Sequence, residues 1–259
     1  MLKTEQEYRQ QIVEIGRLVY QKGWAAANDG NITIRLDEHR VLCTPTGVSK
    51  GTMTPEDLCI CDMDGCLIEG SRSRTSEILM HLTIYRMRPD VRSVVHAHPP
   101  VATGFAVAGR ALNLALVPEV VINLGSIPLA EYGLPGTPEL TRDMLQYIPR
   151  YDALLMGNHG AVAYGADLRK AFFNMETVEH FAQVNLVAEL LGGPRVLPRR
   201  EVQKLFDSRD RYGVPSHTRP EPGAPVVAED HRQDKRLSIT REELAALIEE
   251  VLRARGVMA

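Results

Sequence analysis

Apolar residues recur along this chain at two different periods, and the two periods separate its helices from its strands. Residues 4–22 have an apolar face with helical spacing, and Gly23 follows where a helix would end. The same criteria predict helices over about residues 75–87, 99–108, 137–148 and 167–191. The face of the first helix consists of Tyr8, Ile12, Ile15, Leu18 and Val19.

Short apolar or alternating runs between these helices are typical of β-strands. They read NITIRL, RVLCT, DLCICD, RSVVHAH, DALLMG and GAVAYG. Strands and helices mixed along one chain predict a layered α/β fold. The hairpin-like spacing of the early strands favours a mixed or largely antiparallel sheet over a fully parallel one.

The chain changes character after Pro194. The stretch that follows is rich in proline, arginine and aspartate and has little periodicity, which is typical of an arm rather than of a second core. Thr240 and Glu243 then have the spacing of a helix capping box, and an apolar stripe runs from Leu244 to Leu252. We therefore predict one main domain over residues 1–195 and a C-terminal arm with a terminal helix over 196–259.

Composition narrows the kind of partner. The chain has 259 residues with 30 Lys and Arg against 33 Asp and Glu, a net charge of −3, so it lacks the basic surface of a nucleic-acid-binding protein. The N-terminus has no signal-peptide core, and no apolar stretch is long enough to span a membrane. We expect a cytoplasmic protein with a small-molecule partner, whose four cysteines form no disulfides.

Two histidines stand one residue apart in the stretch VVHAHPP. Alternate residues of a strand point to the same side, so the rings of His96 and His98 can reach a single point. Tetrahedral zinc needs three or four protein ligands, so this pair is half a site. His159, between two glycines at a tight connection in NHGAVAYG, is the best candidate for a third ligand.

Five segments together carry a family resemblance. DGNITIRL, CTPTGVSKGTMTPEDL, RTSEILMH, VVHAHPP and NHGAVAYG resemble, in order and spacing, the consecutive motifs of the class II aldolase/adducin family. The resemblance covers about residues 5–195 and makes residues 1–195 a catalytic domain. It implies an α/β/α layered fold around a largely antiparallel sheet. It also implies a homo-oligomer, usually a fourfold-symmetric tetramer with sites at subunit interfaces.

The resemblance also assigns a metal and an acid/base. It implies one zinc per subunit, or another divalent ion in its place, held by His96, His98 and His159. Glu77, which the sequence places in the first turn of a helix, matches the acid/base beside that metal. A helix N-terminus favours glutamate on electrostatic grounds alone, so the position by itself leaves both interpretations open.

Three small, donor-rich segments predict an anion site. Backbone N–H groups and hydroxyls bind phosphate without a lysine when they converge. The resemblance implies that they do so here, around the phosphate of a small sugar substrate. The matching residues are Asn31, Thr46, Gly47, Thr75 and Ser76.

The reaction type that fits these residues best is that of the L-fuculose-1-phosphate aldolases. These enzymes reversibly cleave a ketose 1-phosphate to dihydroxyacetone phosphate and an aldehyde. One position departs from their pattern, because Glu119 stands about where a neighbouring subunit's tyrosine handles the aldehyde oxygen. Glu119 resembles instead the acid/base of methylthioribulose-1-phosphate dehydratases, so we assign it a catalytic role and leave the sugar open.

Other activities of the family stay open at this point. They are the methylthioribulose-1-phosphate-type dehydratase, the sugar-phosphate epimerases, the decarboxylases and the non-catalytic adducin-type interaction module. A module freed from catalysis has no physical reason to keep three imidazoles that can bind zinc, which argues against the last of them.

Overall fold

The computed structural model describes residues 4–214 and 225–228. In these residues eight strands form one sheet, surrounded by helices. The strands are β1 (Asn31–Arg35), β2 (Arg40–Cys43), β3 (Cys59–Asp62), β4 (Leu67–Glu69), β5 (Ser93–Ala97), β6 (Leu129–Ala130), β7 (Ala153–Met156) and β8 (Gly160–Gly165). The α-helices are α1 (Glu5–Gln21), α2 (Ile78–Met87), α3 (Pro100–Val107), α4 (Pro118–Asn123), α5 (Pro138–Arg142), α6 (Leu168–Leu190) and α7 (Arg199–Asp207).

The sheet is mixed and largely antiparallel, as the strand spacing predicts. Its strands lie in the order β4-β3-β2-β1-β5-β8-β7-β6, and only β6 and β7 pair in parallel. The central neighbours β1, β5 and β8 are joined antiparallel although they are far apart in sequence. This crossing brings distant segments of the chain to the same end of the sheet.

Helices cover both faces of the sheet. Val95 of β5 packs into the cluster that contains residues of α1, α3 and α6, whereas Val94 packs into the cluster that contains residues of α2 and α5. Side chains alternate between the two faces along every strand, so each face supplies one layer of core. The predicted α/β/α layering is confirmed.

Most predicted helices are found within a few residues of their expected bounds. The helix predicted over residues 4–22 is α1, and a capping box of Thr4 and Glu7 starts it. The helix predicted over 137–148 is wrong as a single element, because α5 ends at Arg142 and a separate 3₁₀ turn follows. At the break, the Asp143 carboxylate accepts hydrogen bonds from the Glu131 N–H and the Gln146 amide, a local alternative to helical bonding.

The chain beyond residue 195 remains in contact with the layered core where it is described. Val202 of α7 packs with Val121 of α4 and with Ala115, which precedes α4. The terminal helix predicted after Thr240 lies outside the described residues, so the proposed division at residue 195 stays a prediction. Within the described ranges, no helix is both long and apolar enough to cross a membrane.

The cysteines are free. Cys43, Cys59 and Cys61 are buried on β2 and β3, and Cys66 is exposed. This agrees with the expectation of unpaired structural cysteines. Burial among apolar side chains is their ordinary environment.

Candidate active site

Three histidines meet at one end of the central strands. His96 lies on β5, directly opposite Asn31 at the start of β1, and His98 follows the end of that strand. His159 occupies the turn that leads into β8, the neighbour of β5 on its other side. One ring nitrogen from each histidine lies within 4.8 Å of the other two. The antiparallel pairing of β5 and β8 thus joins residues 63 positions apart in sequence.

A hydrogen bond orients His96, and a nearby carboxylate lies beside the outer nitrogen of His98. His96 Nδ1 donates to the Ala161 carbonyl at 2.9 Å, which leaves the lone pair on Nε2. His98 Nδ1 lies 3.6 Å from the Asp29 carboxylate, and its Nε2 faces His96 Nε2 at 3.2 Å. Nitrogen lone pairs at this separation repel unless a cation or a proton lies between them. Three converging imidazoles are a donor set for a catalytic divalent metal, so the residues fit one.

Tight backbone geometry makes room for His98 and His159. Asn158, immediately before His159, has a left-handed φ of 54°. An added Cβ at Gly160 would lie 2.5 Å from His98 Cδ2, so only glycine fits there. Gly160, which follows His159 in sequence, therefore leaves the space that the His98 ring occupies.

The pKa values of His98 and His159 suit metal binding. Burial, together with the nearby His96, lowers the pKa of each to about 4. Both rings are therefore neutral at physiological pH. A metal ligand must be neutral imidazole, so no proton has to leave these two before binding.

Glu77 lies against the histidines, just before α2 begins. Its Oε2 is 3.2 Å from His96 Nε2, and its Oε1 is 3.4 Å from His159 Nε2. Burial alone would raise the pKa of this carboxyl, but His96, His159 and the Asn31 amide together hold it well below its usual range. Conversely, burial lowers the pKa of His96, and Glu77 and the Ala161 carbonyl more than compensate, so that pKa is raised.

The three predicted anion-binding segments are joined by backbone hydrogen bonds. Thr44 N–H donates to the Ile32 carbonyl, which follows Asn31, and Thr75 N–H donates to the Thr44 carbonyl. Thr46 N–H donates to the Ser73 carbonyl at 3.0 Å. The segments therefore lie side by side next to Glu77. Thr46, Gly47 and Ser76 are exposed and Thr75 and Asn31 are buried.

A buried lysine lies behind these segments, and sequence reasoning missed it. Lys50 is 1% exposed, and its ammonium donates to the carbonyls of Asn28 at 2.8 Å and Val48 at 3.1 Å. It thereby ties the loop before β1 to the turn after Gly47. Burial lowers its pKa to about 8 although Asp29 opposes this effect. The only signal in the sequence is a lysine inside the turn motif TGVSKG.

The two arginines that flank Ser73 are engaged with other protein groups. Arg72 pairs with Asp57 at 2.7 Å, and Arg74 donates to the carbonyls of Gly65 and Thr75. The charge of the buried Lys50 also acts on His96, where it opposes the rise in pKa.

The structure places Glu119 apart from this group. It is exposed on α4 and lines a cavity of about 600 Å³ together with Trp24, Glu176 and His180. Among the described residues, no hydrogen bond or ion pair links the Glu119 carboxylate to Glu77 or to the histidines. The cavity still adjoins the site, because the Trp24 carbonyl accepts the His98 N–H at 2.8 Å.

A substitution at Gly30 would test whether its close approach to the His96 backbone is needed for metal binding. Its φ is 72°, and an added Cβ would lie 2.8 Å from the His96 carbonyl oxygen. Gly30→Ala is expected to lower both stability and bound metal, because the His96 backbone must move. Gly23→Ala is the matched control, with a φ of 71° and no heavy atom of the described structure within 4 Å of the new Cβ.

Gly23→Ala should lose only about 1 kcal/mol of unfolding free energy, because alanine is strained in the left-handed conformation but its Cβ contacts no other part of the described structure there. Thermal unfolding and elemental analysis of both variants would measure the difference. Equal losses in the two variants would show that the close approach of Gly30 to His96 has no bearing on the metal site.

Residues 10–186 match the family profile described as Class II Aldolase and Adducin N-terminal domain. This range contains all three histidines, Glu77, Glu119 and the anion segments.

The relatives of this chain differ in the reactions that they are named for. The chain is 34% identical over 177 residues to an L-fuculose phosphate aldolase of Methanococcus maripaludis, covering 68% of this chain and 95% of the relative. It is also 34% identical over 187 residues to a 3-oxo-tetronate 4-phosphate decarboxylase of Pectobacterium atrosepticum, covering 71% and 85%. A solved L-fuculose 1-phosphate aldolase superposes with a TM-score of 0.74 at 27% identity, over 81% of this chain and 98% of the other.

Proposed function

Because this chain belongs to the class II aldolase and adducin family, whose enzymes are metal-dependent lyases, we propose that it is a zinc-dependent aldolase. It reversibly cleaves a ketose 1-phosphate, similar to L-fuculose 1-phosphate, into dihydroxyacetone phosphate and an aldehyde. We further propose that it works as a cytoplasmic homotetramer.

The observation that carries this proposal is the position of Glu77. Its Oε1 is buried and accepts no hydrogen bond within the described structure, while it lies beside the three-histidine cluster. A carboxylate held ionised, with one oxygen free, is placed to take a proton from a bound substrate and return it. His96, His98 and His159 would hold a divalent ion, which would supply Lewis-acid stabilisation of the negative charge that develops during cleavage.

In this proposal each group has a separate task. The anion segments hold the phosphate and fix the substrate at a distance from the bond that breaks, which orients its reacting carbons. In the direction of synthesis, the ionised Glu77 carboxylate removes a proton from the carbon of dihydroxyacetone phosphate. In cleavage, Glu77 first takes up a proton from solvent and then gives it to that carbon after the carbon–carbon bond breaks, while the hydroxyl proton of the aldehyde half leaves to solvent. Glu119, from the adjoining cavity, handles the proton on the oxygen of the aldehyde half.

A decarboxylase is the second candidate, and the relative of Pectobacterium atrosepticum favours it at the same identity as the aldolase. Loss of carbon dioxide from a 3-oxo acid also leaves negative charge beside a carbonyl, so the same metal and phosphate groups would serve. The direct test compares two assays on the zinc-loaded protein. Release of dihydroxyacetone phosphate from L-fuculose 1-phosphate supports the aldolase, and release of carbon dioxide from 3-oxo-tetronate 4-phosphate alone supports the decarboxylase.

The phosphate contacts can be tested separately from the chemistry. Ser76→Asp is expected to weaken substrate binding and inhibition by inorganic phosphate, because it places like charge beside the phosphate. Ser71→Asp, another exposed serine in the same connection, is the control and should change both values little. The measurements are KM and the inhibition constant of phosphate. Unchanged values in Ser76→Asp would point to an unphosphorylated substrate.

A further inference from the structure

A buried row of polar groups lies behind Glu77, where β1 faces α2. Asn31 and Thr33 are alternate residues of β1 and point to the same side, as their spacing of two requires. Glu77, His81 and Tyr85 are spaced by four along α2 and its cap, so they share one face of the helix. None of the five is more than 7% exposed. We call these five residues the polar row.

Hydrogen bonds connect the polar row from end to end. The Tyr85 hydroxyl lies 2.7 Å from Thr33 Oγ1, and Thr33 Oγ1 lies 2.8 Å from His81 Nδ1. His81 Nε2 lies 2.5 Å from Asn31 Oδ1, and Asn31 Nδ2 donates to Glu77 Oε2 at 2.8 Å. The row therefore runs without a gap from the hydroxyl of Tyr85 to the carboxylate of Glu77.

The Glu77 carboxylate, at one end of the polar row, determines which atom donates in every hydrogen bond of the row. A carboxylate offers only acceptors, so Asn31 must turn its NH₂ group toward Glu77 and its carbonyl toward His81. His81 must then carry its proton on Nε2 and accept at Nδ1. Thr33, whose one hydroxyl proton goes to His81, must accept from Tyr85. All the donors point toward Glu77, an arrangement in which successive hydrogen bonds polarise one another.

This direction makes the two oxygens of Glu77 unequal. Oε2 accepts from Asn31 and lies next to His96, whereas Oε1 is left without a hydrogen bond among the described groups. If His81 carried its proton on Nδ1 instead, two acceptors would face each other at 2.5 Å, and the Asn31 amide would turn over. Its carbonyl would then face the Glu77 carboxylate, and the carboxylate would have to move.

We propose that His81 is a positioning residue for the base. Locked by Thr33 and Tyr85 as the neutral Nε2–H tautomer, it fixes the Asn31 amide so that Glu77 is held through Oε2 and presents Oε1 to the substrate. The second N–H of Asn31, which no described residue accepts, is left for the substrate phosphate. The part of this inference that concerns proton transfer rests on the proposed aldolase function. Complete burial, which lowers the pKa of His81 to about 3, is consistent with a neutral ring.

The tautomer can be observed directly in protein labelled with ¹⁵N-histidine and loaded with zinc. Long-range proton–nitrogen correlation spectra are expected to show His81 protonated at Nε2 and bare at Nδ1, the signal being assigned by its absence in His81→Gln. Thr33→Val removes the donor to Nδ1 and should disturb this signal. A ring protonated at Nδ1, or at both nitrogens, would overturn the proposal whatever the enzyme catalyses.

The effect on Glu77 is measured by exchange of a carbon-bound proton of saturating dihydroxyacetone phosphate with deuterated solvent. His81→Leu is expected to slow this exchange by roughly 10- to 100-fold, the usual effect of removing a residue that orients the groups of a metal site. His81→Gln, whose amide keeps one donor and one acceptor, should recover part of the loss. Thr33→Val tests the same point if His81→Leu does not fold.

Asn174→Leu is the matched control for a lost buried polar group. Asn174 is 1% exposed on α6, and its amide donates to the Tyr164 carbonyl, outside the polar row. Asn174→Leu should lower the stability of the protein while leaving proton exchange of dihydroxyacetone phosphate at the wild-type rate. Zinc content must stay near that of the wild type in His81→Leu, since loss of zinc there would give His81 a structural role and overturn the proposal. If the wild type shows no exchange, the aldolase function fails, and the tautomer measurement still decides the assignment of His81.

Discussion

His98→Ala is expected to reduce bound zinc from about one ion per chain to a small fraction of that. His98 Nε2 faces His96 Nε2 at 3.2 Å, so its removal leaves two imidazoles, which is half of a tetrahedral site. Because the metal contributes several kcal/mol of charge stabilisation in the transition state, cleavage should slow by about 10³-fold. Elemental analysis and the cleavage assay measure the two effects.

His39→Ala is the control for this variant. His39 is an exposed histidine in the connection between β1 and β2, away from the cluster. It should retain both zinc and activity. Equal zinc in the wild type and in His98→Ala would exclude zinc binding by the three histidines. Equal loss of zinc in His98→Ala and His39→Ala would indicate zinc bound at surface histidines.

Glu77→Gln is expected to abolish the exchange of one carbon-bound proton of dihydroxyacetone phosphate with deuterated solvent, in the absence of any aldehyde. The change removes the base and no metal ligand, so zinc should stay bound. Loss of a general base slows proton transfer by about 10²- to 10⁴-fold, which places the residual rate below detection in a proton NMR time course.

Glu119→Gln separates the roles of the two glutamates. Glu119 is exposed on α4, outside the contacts of Glu77, so its loss should spare this exchange and slow full turnover with an aldehyde. Loss of exchange in Glu119→Gln alone would mean that the two roles are reversed. An active, zinc-loaded wild type that shows no exchange would contradict the aldolase and favour the dehydratase or the decarboxylase.

The layered fold was accessible from sequence because strand and helix periods are local properties. Val94 and Val95 face opposite layers simply because strand side chains alternate. The histidine pair was accessible for the same reason, since His96 lies on β5 and His98 follows just past its end, where both rings still converge. Their approach to His159 depends on the pairing of β5 with β8, which no local pattern encodes, and the family resemblance supplied it.

Other features depend on contacts that the sequence does not display. The break after α5 comes from Asp143, whose carboxylate binds a backbone N–H of a distant segment. In the sequence, Lys50 is a lysine in a turn and His81 is a histidine in a helix. That both side chains are buried is visible only in the folded structure. The spacing of four from Glu77 through His81 to Tyr85 is visible in the sequence. That this helix face packs against Asn31 and Thr33 of β1 is visible only in the structure.

The position of Glu119 also bears on how such an enzyme can change during evolution. Substitutions at exposed positions usually alter stability by less than about 0.5 kcal/mol, whereas changes in a buried polar network are among the most damaging. If α4 contributes to the choice of sugar, new substrates can be explored there while the metal ligands and their supporting bonds remain untouched. A library of variants at Glu119 and at the exposed cavity residues His180 and Gln183 should therefore contain mostly folded proteins, which makes this cavity the natural starting point for redirecting the enzyme to other aldehydes.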